Sequence, residues 1–142
     1  MSFSSTFEND LLKLIFNATP IANVADNAAA SPLTNLYIAL HTGNPGTTPA
    51  QTTSEAAYTG YARVACPRTS GEWAVTGNSV SNTTEISFPI ATGGSETETH
   101  ASVGQAASGT GKIILAGALS PTIVVASGVT PVLTLASALT IT

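Results

Sequence analysis

Few side chains in this sequence could do chemistry, and each candidate has a spacing that can be checked. The histidines are His41 and His100, the only acidic pair close to them in sequence is Glu96 with Glu98, and the single cysteine is Cys66. A tetrahedral metal site needs three or four nitrogen, sulfur or oxygen ligands at short characteristic intervals. The histidines are far apart, each falls on the polar side of a predicted strand, and Glu96 and Glu98 alone do not complete a ligand set. No metal is therefore expected, and both histidines should face solvent or be hydrogen-bonded. A serine nucleophile would need an elbow of the G-x-S-x-G type and a buried acid. The elbow is absent, and the aspartates, Asp10 and Asp26, both lie near the start of the chain. As an acid and base pair Glu96 and Glu98 would share one strand face, which reads more simply as a solvated edge guarded by charge. Residues 104–112, Gly-Gln-Ala-Ala-Ser-Gly-Thr-Gly-Lys, fail as a phosphate loop because Lys112 is followed by Ile113 and a strand, not by Ser or Thr and a helix. With Cys66 alone there is no intrachain disulfide, and a small half-buried apolar residue is expected there. The sequence thus predicts no enzyme, no cofactor and no metal.

The most informative stretch is residues 54–68, Ser-Glu-Ala-Ala-Tyr-Thr-Gly-Tyr-Ala-Arg-Val-Ala-Cys-Pro-Arg. Arg63 and Arg68 are half of the four cationic side chains in the chain. From Tyr61 the residues alternate as in a strand. Gly60 stands between Tyr58 and Tyr61 where a bulge or a close backbone approach would exclude a Cβ. Arg63 either snorkels out along Tyr61 or pairs with a carboxylate, and Glu55 and Glu72 are the nearest candidates. In both cases its role is structural.

Composition narrows the function classes. Only 8% of the 142 residues are charged, against about 25% in an average globular domain. Such a surface is expected to be covered by other subunits or coated with Ser, Thr and Asn. Four Lys and Arg against a net charge of −4 exclude nucleic acid as a partner. Mean hydropathy is positive and residues 113–142 carry no charge. Pro121, Gly128 and Pro131 cut that run into pieces too short for a bilayer helix, so buried strands and no membrane are expected. Residues 1–10 lack the basic region of a secretory signal.

One helix is expected, over residues 5–16, with Ser5 and Glu8 forming a capping box and Phe7, Leu11, Leu14 and Ile15 on one apolar face. That face is placed to cover a sheet end or reach a neighbouring subunit. Residues 17–34 read as an extended arm with a short helical turn near 26–30. Strands are expected at 36–41, 61–68, 73–76, 85–90, 97–104, 112–119, 122–126, 131–135 and 138–141, with turns at 120–121 and 127–128. Pro89 points to an edge, and Ile86, Phe88 and Ile90 should face inward. Short strands at this regular spacing predict an all-β chain, a jelly-roll-like antiparallel β-sandwich of about eight strands with one N-terminal helix and an extended arm. The simplest organisation is residues 1–35 as helix and arm and 36–142 as the sandwich.

Residues 36–46, Leu-Tyr-Ile-Ala-Leu-His-Thr-Gly-Asn-Pro-Gly, together with 53–65, 82–89, 99–104 and 109–119, resemble a family of small tailed-phage virion proteins. Its members are often labelled tail fibre proteins. The chain also resembles the capsid cement, or decoration, proteins of podoviruses like the Bordetella phage. That resemblance implies a jelly roll, no catalytic residues, and a place on the outer surface of the capsid in the virion. The implied partners are the major capsid protein and a second copy of the chain, as a homodimer or a trimer. The alternative it leaves open is a tail or fibre component that binds a host receptor or glycan. Contact residues expected on this reading are Phe3 ahead of the helix, Phe7, Leu11 and Leu14 on it, Asn44 and Pro45 of the loop after the first strand, and Tyr58.

Overall fold

The structure is a computed structural model describing residues 4–21, 32–46, 50–134 and 138–140. Phe3 and the turn expected near 26–30 lie outside the described residues. Helix α1 (Ser5–Phe16) is followed, among the described residues, by nine strands: β1 (Asn35–His41), β2 (Val64–Pro67), β3 (Trp73–Thr76), β4 (Ser79–Asn82), β5 (Ile86–Ser87), β6 (Ser95–Gly104), β7 (Ile113–Ala126), β8 (Val132–Leu133) and β9 (Ala138–Thr140). They form three antiparallel sheets, ordered β2-β1-β6-β7, β3-β4-β9 and β5-β8. The fold is all-β and sandwich-like with one helix. The chain divides into two compact units. Unit 1 is Met1–Asn35, Pro67–Glu85 and Thr134–Thr142, and unit 2 is Leu36–Cys66 and Ile86–Leu133.

In unit 1 the helix is capped one residue earlier than its sequence signature suggests. Ser4, extended at φ −74 and ψ 148, is the N-cap, and its hydroxyl accepts from the Phe7 amide at 3.3 Å. The expected Ser5–Glu8 capping box is therefore not the cap. With Ser4 in that place the residue three positions on is Phe7, which has no carboxylate to reach back. Glu8 instead sits in the first turn, where its charge suits the helix dipole. Leu12 and Phe16 are the buried helix residues, while Phe7, Leu11, Leu14 and Ile15 are half-buried. Apolar residues wrap more than one stripe of this helix, and α1 packs on β3 and β4. Phe16 meets Trp73 edge-on with ring centroids 4.9 Å apart, and Val80 completes the apolar core. Each of these large side chains contributes about 1.5–3 kcal/mol by leaving water.

Strand β4 has no signature in the sequence, because Ser-Val-Ser-Asn offers one apolar residue. It forms because Gly77, at φ +60, and Asn78 make the two-residue turn that sets Thr76 against Ser79. Arg68 closes the unit: Nε donates to the Ile15 carbonyl at 2.5 Å, Nη2 to Leu14 at 2.5 Å and Nη1 to Leu33 at 2.7 Å. The first two are carbonyls of the last helical turn, which no further turn of helix can satisfy.

In unit 2, β1 lies between β2 and β6, and every residue from Ile38 to His41 is buried. A strand with neighbours on both sides and cover on both faces loses the alternation an exposed strand shows. Strand β7 runs unbroken through Ser120 and Pro121, joined by a cis peptide bond, where the sequence suggests a turn. The register shifts at this point: Glu98 faces Ile123 and His100 faces Ala118, so residues 119–122 stand outside the ladder opposite Thr99. In the β5 segment Ile86 and Phe88 are buried as expected, but Ile90 is 51% exposed. Residues 61–63, expected to open the second strand, are not in a ladder and carry a polar cluster instead.

Candidate functional site

Unit 2 concentrates polar side chains in its interior, at three points of the β1 and β6 region. The first is built on Arg63. Its Nε and Nη2 donate to the two oxygens of Glu55 at 2.6 and 2.8 Å, and the guanidinium side chain is 2% exposed against 17% for the carboxylate. Of the two carboxylates offered by the sequence, Glu55 is the partner. The remaining donors reach the carbonyls of Ala106 at 2.9 Å and Gly109 at 2.8 Å, so one side chain ties residues 55–63 to the loop after β6. The Tyr61 hydroxyl donates to Glu55 at 3.0 Å and accepts from the Leu40 amide at 3.2 Å. Burial first, and the Glu55 charge second, push the Tyr61 phenol far above its ordinary range. Gln51, fully buried, works on the same loop: Nε2 donates to the Tyr37 carbonyl at 3.3 Å and Oε1 accepts from the Ala106 amide at 2.9 Å. Gly104 and Gly111 lie so close to this amide that a Cβ on either would overlap it.

Gly60 adopts φ +100 and a Cβ there would meet the Ile90 carbonyl at 2.8 Å, a close approach of backbone to backbone. Beside it, Thr59 exchanges backbone hydrogen bonds with Thr92 and Gly93.

The second point is His41, which is fully buried and not at all solvent-facing. Nδ1 lies 2.8 Å from the Thr53 carbonyl and Nε2 lies 2.7 Å from Ser102 Oγ. A carbonyl can only accept, so Nδ1 carries the proton and Nε2 accepts from the serine hydroxyl. Burial holds this imidazole below its usual pKa, and it stays neutral. A serine on a histidine resembles half of a hydrolytic triad, but Ser102 is 2% exposed within β6 and faces Ala39 across the ladder. No substrate carbonyl can reach it, and the pair is a cross-strand tie.

The third point is acidic. Glu96 Oε1 accepts from the amides of Ala57 and Tyr58, both at 2.8 Å. Glu98, the next position on the same face of β6, is 0% exposed with neither oxygen hydrogen-bonded. It is not the solvated edge carboxylate that its sequence context suggests. Burial, and then the adjoining Glu96 carboxylate, raise the Glu98 pKa to about 8. Burial, then Glu98 and Glu96, push Tyr58 up to about 12.

Of the contact residues expected from sequence, Tyr58 is 3% exposed with its hydroxyl on the Pro89 carbonyl, and Pro45 is buried as well. Their side chains belong to the interior of unit 2 and are unavailable to a partner. Asn44 is exposed, with its Oδ1 accepting from the Gly46 amide. Phe7, Leu11 and Leu14 belong to unit 1. Sequence reasoning misses Gln51 and the His41–Ser102 tie. Gly104 and Gly111, bracketing a loop opposite a lone Gln, are the available signal.

The family model of podophage GP4 fiber I protein gp80 matches residues 2–142. The chain belongs to that family. It is thereby a phage virion structural protein of fibre type, in agreement with the virion family that the sequence resembles. No curated protein matches the chain.

Proposed function

We propose that the chain is a cement protein of the phage head, placed on the outer capsid surface across joints between major capsid protein subunits and working as a homodimer. The observation that carries this reading is strand β7. Its fourteen residues run alongside the ten of β6, about 33 Å at a strand's rise, carry no charge, and lie at the end of the sheet with no strand on their outer side among the described residues. Val124 on it is 67% exposed. A long uncharged edge is a template for pairing, and a protein that kept it in water would associate unless the edge were covered. Assembled surfaces of this kind are large and apolar. On α1, Phe7, Leu11 and Leu14 retain partial exposure after Leu12 and Phe16 are used in the core, which leaves them, with Asn44, as further contact candidates.

The family description, a fibre protein, favours a second reading, a fibre component; on that reading the chain would sit at the tail and bind a host receptor or glycan. Negative-stain images of virions carrying a tagged copy separate the two. Label over the faces of the shell supports cement; label restricted to the tail removes it.

A further inference from the structure

Glu98 is a carboxyl group in the interior of unit 2 that none of the structural ties uses. It is 0% exposed, and neither Oε1 nor Oε2 has a hydrogen-bond donor. A carboxylate out of water and without donors is strongly unfavourable, so the group either keeps a proton or takes a positively charged occupant. Among the described residues no cationic side chain pairs with it. Arg63 is committed to Glu55 and two carbonyls, and Arg68 to three carbonyls in unit 1. Lys112 adjoins Ile113, which faces Gly104, six strand positions or about 20 Å from Glu98 along β6.

The second carboxylate of the site is Glu96, on the same face of β6 by the two-residue period of a strand. Its Oε1 is held by the amides of Ala57 and Tyr58, which fixes the group and leaves Oε2 without a donor among the described residues. Glu96 is half-buried, so solvent has a path to the pair. Beside them, residues 119–122 of β7 are out of register with β6, and their backbone oxygens are not arranged as in the regular ladder.

We propose that Glu96 and Glu98 form a binding site for one hard divalent cation, with Ca2+ the occupant that fits. Three carboxylate oxygens without donors, on two neighbouring side chains of one strand face, are the oxygen-only donor set that such ions take. A proton shared between Glu98 and Glu96 satisfies one oxygen of each and leaves the second Glu98 oxygen bare; a divalent ion is suited to all three and would cancel both charges. No third acidic, histidine or cysteine side chain joins the set among the described residues. Water and backbone oxygens complete the coordination, which places the affinity in the weak class of extracellular calcium modules, about 10⁻⁴–10⁻³ M. Sequence alone raises no such expectation because two glutamates at i, i+2 are common on exposed edges; burial of one of them is what distinguishes this pair.

The test uses the full-length chain freed of metal with a chelator and then dialysed, at one fixed pH and constant ionic strength. Calorimetric titration with CaCl2 should give a single site. At a Ca2+ concentration ten times the measured Kd, the melting temperature should rise by about 5 °C. Glu98→Gln removes the buried charge while keeping its shape. It should lower the affinity on the order of tenfold or more, the loss already typical when groups supporting metal ligands are removed. A second measurement needs no variant: Tb3+ bound at the pair should emit on excitation of tyrosine, with Tyr58 adjoining Glu96, and Ca2+ should quench that emission by displacement. A Ca2+ response no larger than that of NaCl at equal ionic strength overturns the proposal. So does an equal response in the Glu98→Gln protein, or tyrosine-excited Tb3+ emission that Ca2+ leaves unchanged.

Discussion

Replacing Arg63 by Ala is the sharpest probe of the polar interior. The side chain is 2% exposed and makes two contacts to Glu55, at 2.6 and 2.8 Å, and two more to the carbonyls of Ala106 and Gly109. Its removal leaves the Glu55 carboxylate with the Tyr61 hydroxyl as its remaining side-chain donor, and takes the guanidinium away from the two loop carbonyls. Breaking one partner out of a buried pair costs about 3–5 kcal/mol, chiefly because the other charge stays behind. Against a domain stability of about 5–15 kcal/mol that is at least about a fifth of the total, and for a marginal domain nearly all of it. Urea unfolding followed by circular dichroism should show the midpoint falling accordingly, and limited proteolysis should cut faster within 105–110. Arg63→Met combined with Glu55→Gln should recover part of the loss, because no charge is then stranded. A loss below about 1 kcal/mol for Arg63→Ala, the size of an exposed pair, would mean that the clamp is solvated and the reasoning is wrong.

Stability of the metal-free protein should fall as pH rises toward 8. Glu98 has a folded-state pKa raised from 4.5 to about 8, so its protonated form favours the fold fully below 4.5 relative to a chain in which it is charged, and that contribution is lost as pH climbs through 8. Urea midpoints from pH 5 to 9 in EDTA should show this slope in the native chain and a flatter one in Glu98→Gln; equal slopes would refute it. Gly104→Ala should cost about 1–3 kcal/mol through overlap with the Gln51 amide, and less when Gln51→Ala is already present, as urea midpoints of the two single variants and the double variant would show. Arg68→Ala should cost about 2 kcal/mol, because three charge-assisted bonds to carbonyls are lost. The emission of Trp73, the one tryptophan, reads that change directly through its contact with Phe16.

The elements most legible in the sequence are those whose local signals agree. Residues 5–16 carry helical spacing, a cap region and favourable end charges, and α1 spans Ser5–Phe16. Trp73–Thr76 is bounded by glycines on both sides, and the strand has the bounds those glycines suggest. The departures come where tertiary placement outvotes pattern. Alternation puts His41 on a polar face, but β1 is central and its two faces are both covered. Ser120 and Pro121 look like a turn, but a register shift against β6 keeps them within one strand. Glu98 reads as an edge charge because sequence shows period and not depth. Tyr58 and Pro45 read as contact residues for the same reason, since an aromatic or a proline in a polar loop gives no sign of whether it points in or out.

The depth of these side chains also changes what the composition means. Four cationic residues already suggest a surface poor in positive charge. Two of the four, Arg63 and Arg68, turn inward and spend their donors on Glu55 and on backbone carbonyls. Lys13 and Lys112 are then the cationic side chains left toward solvent. Such a surface cannot track a phosphate backbone, and it has few ions to keep copies apart. The same economy of charge that stiffens the interior thus leaves the outside suited to apolar and hydroxyl-rich neighbours. Adding charge is the direct check: Val124→Lys, on the exposed edge strand β7, should leave the stability from urea unfolding within about 0.5 kcal/mol of the native value. It should nonetheless reduce self-association in sedimentation and incorporation into virions. Unchanged assembly by that variant would show that β7 is not the surface through which the protein meets its neighbours.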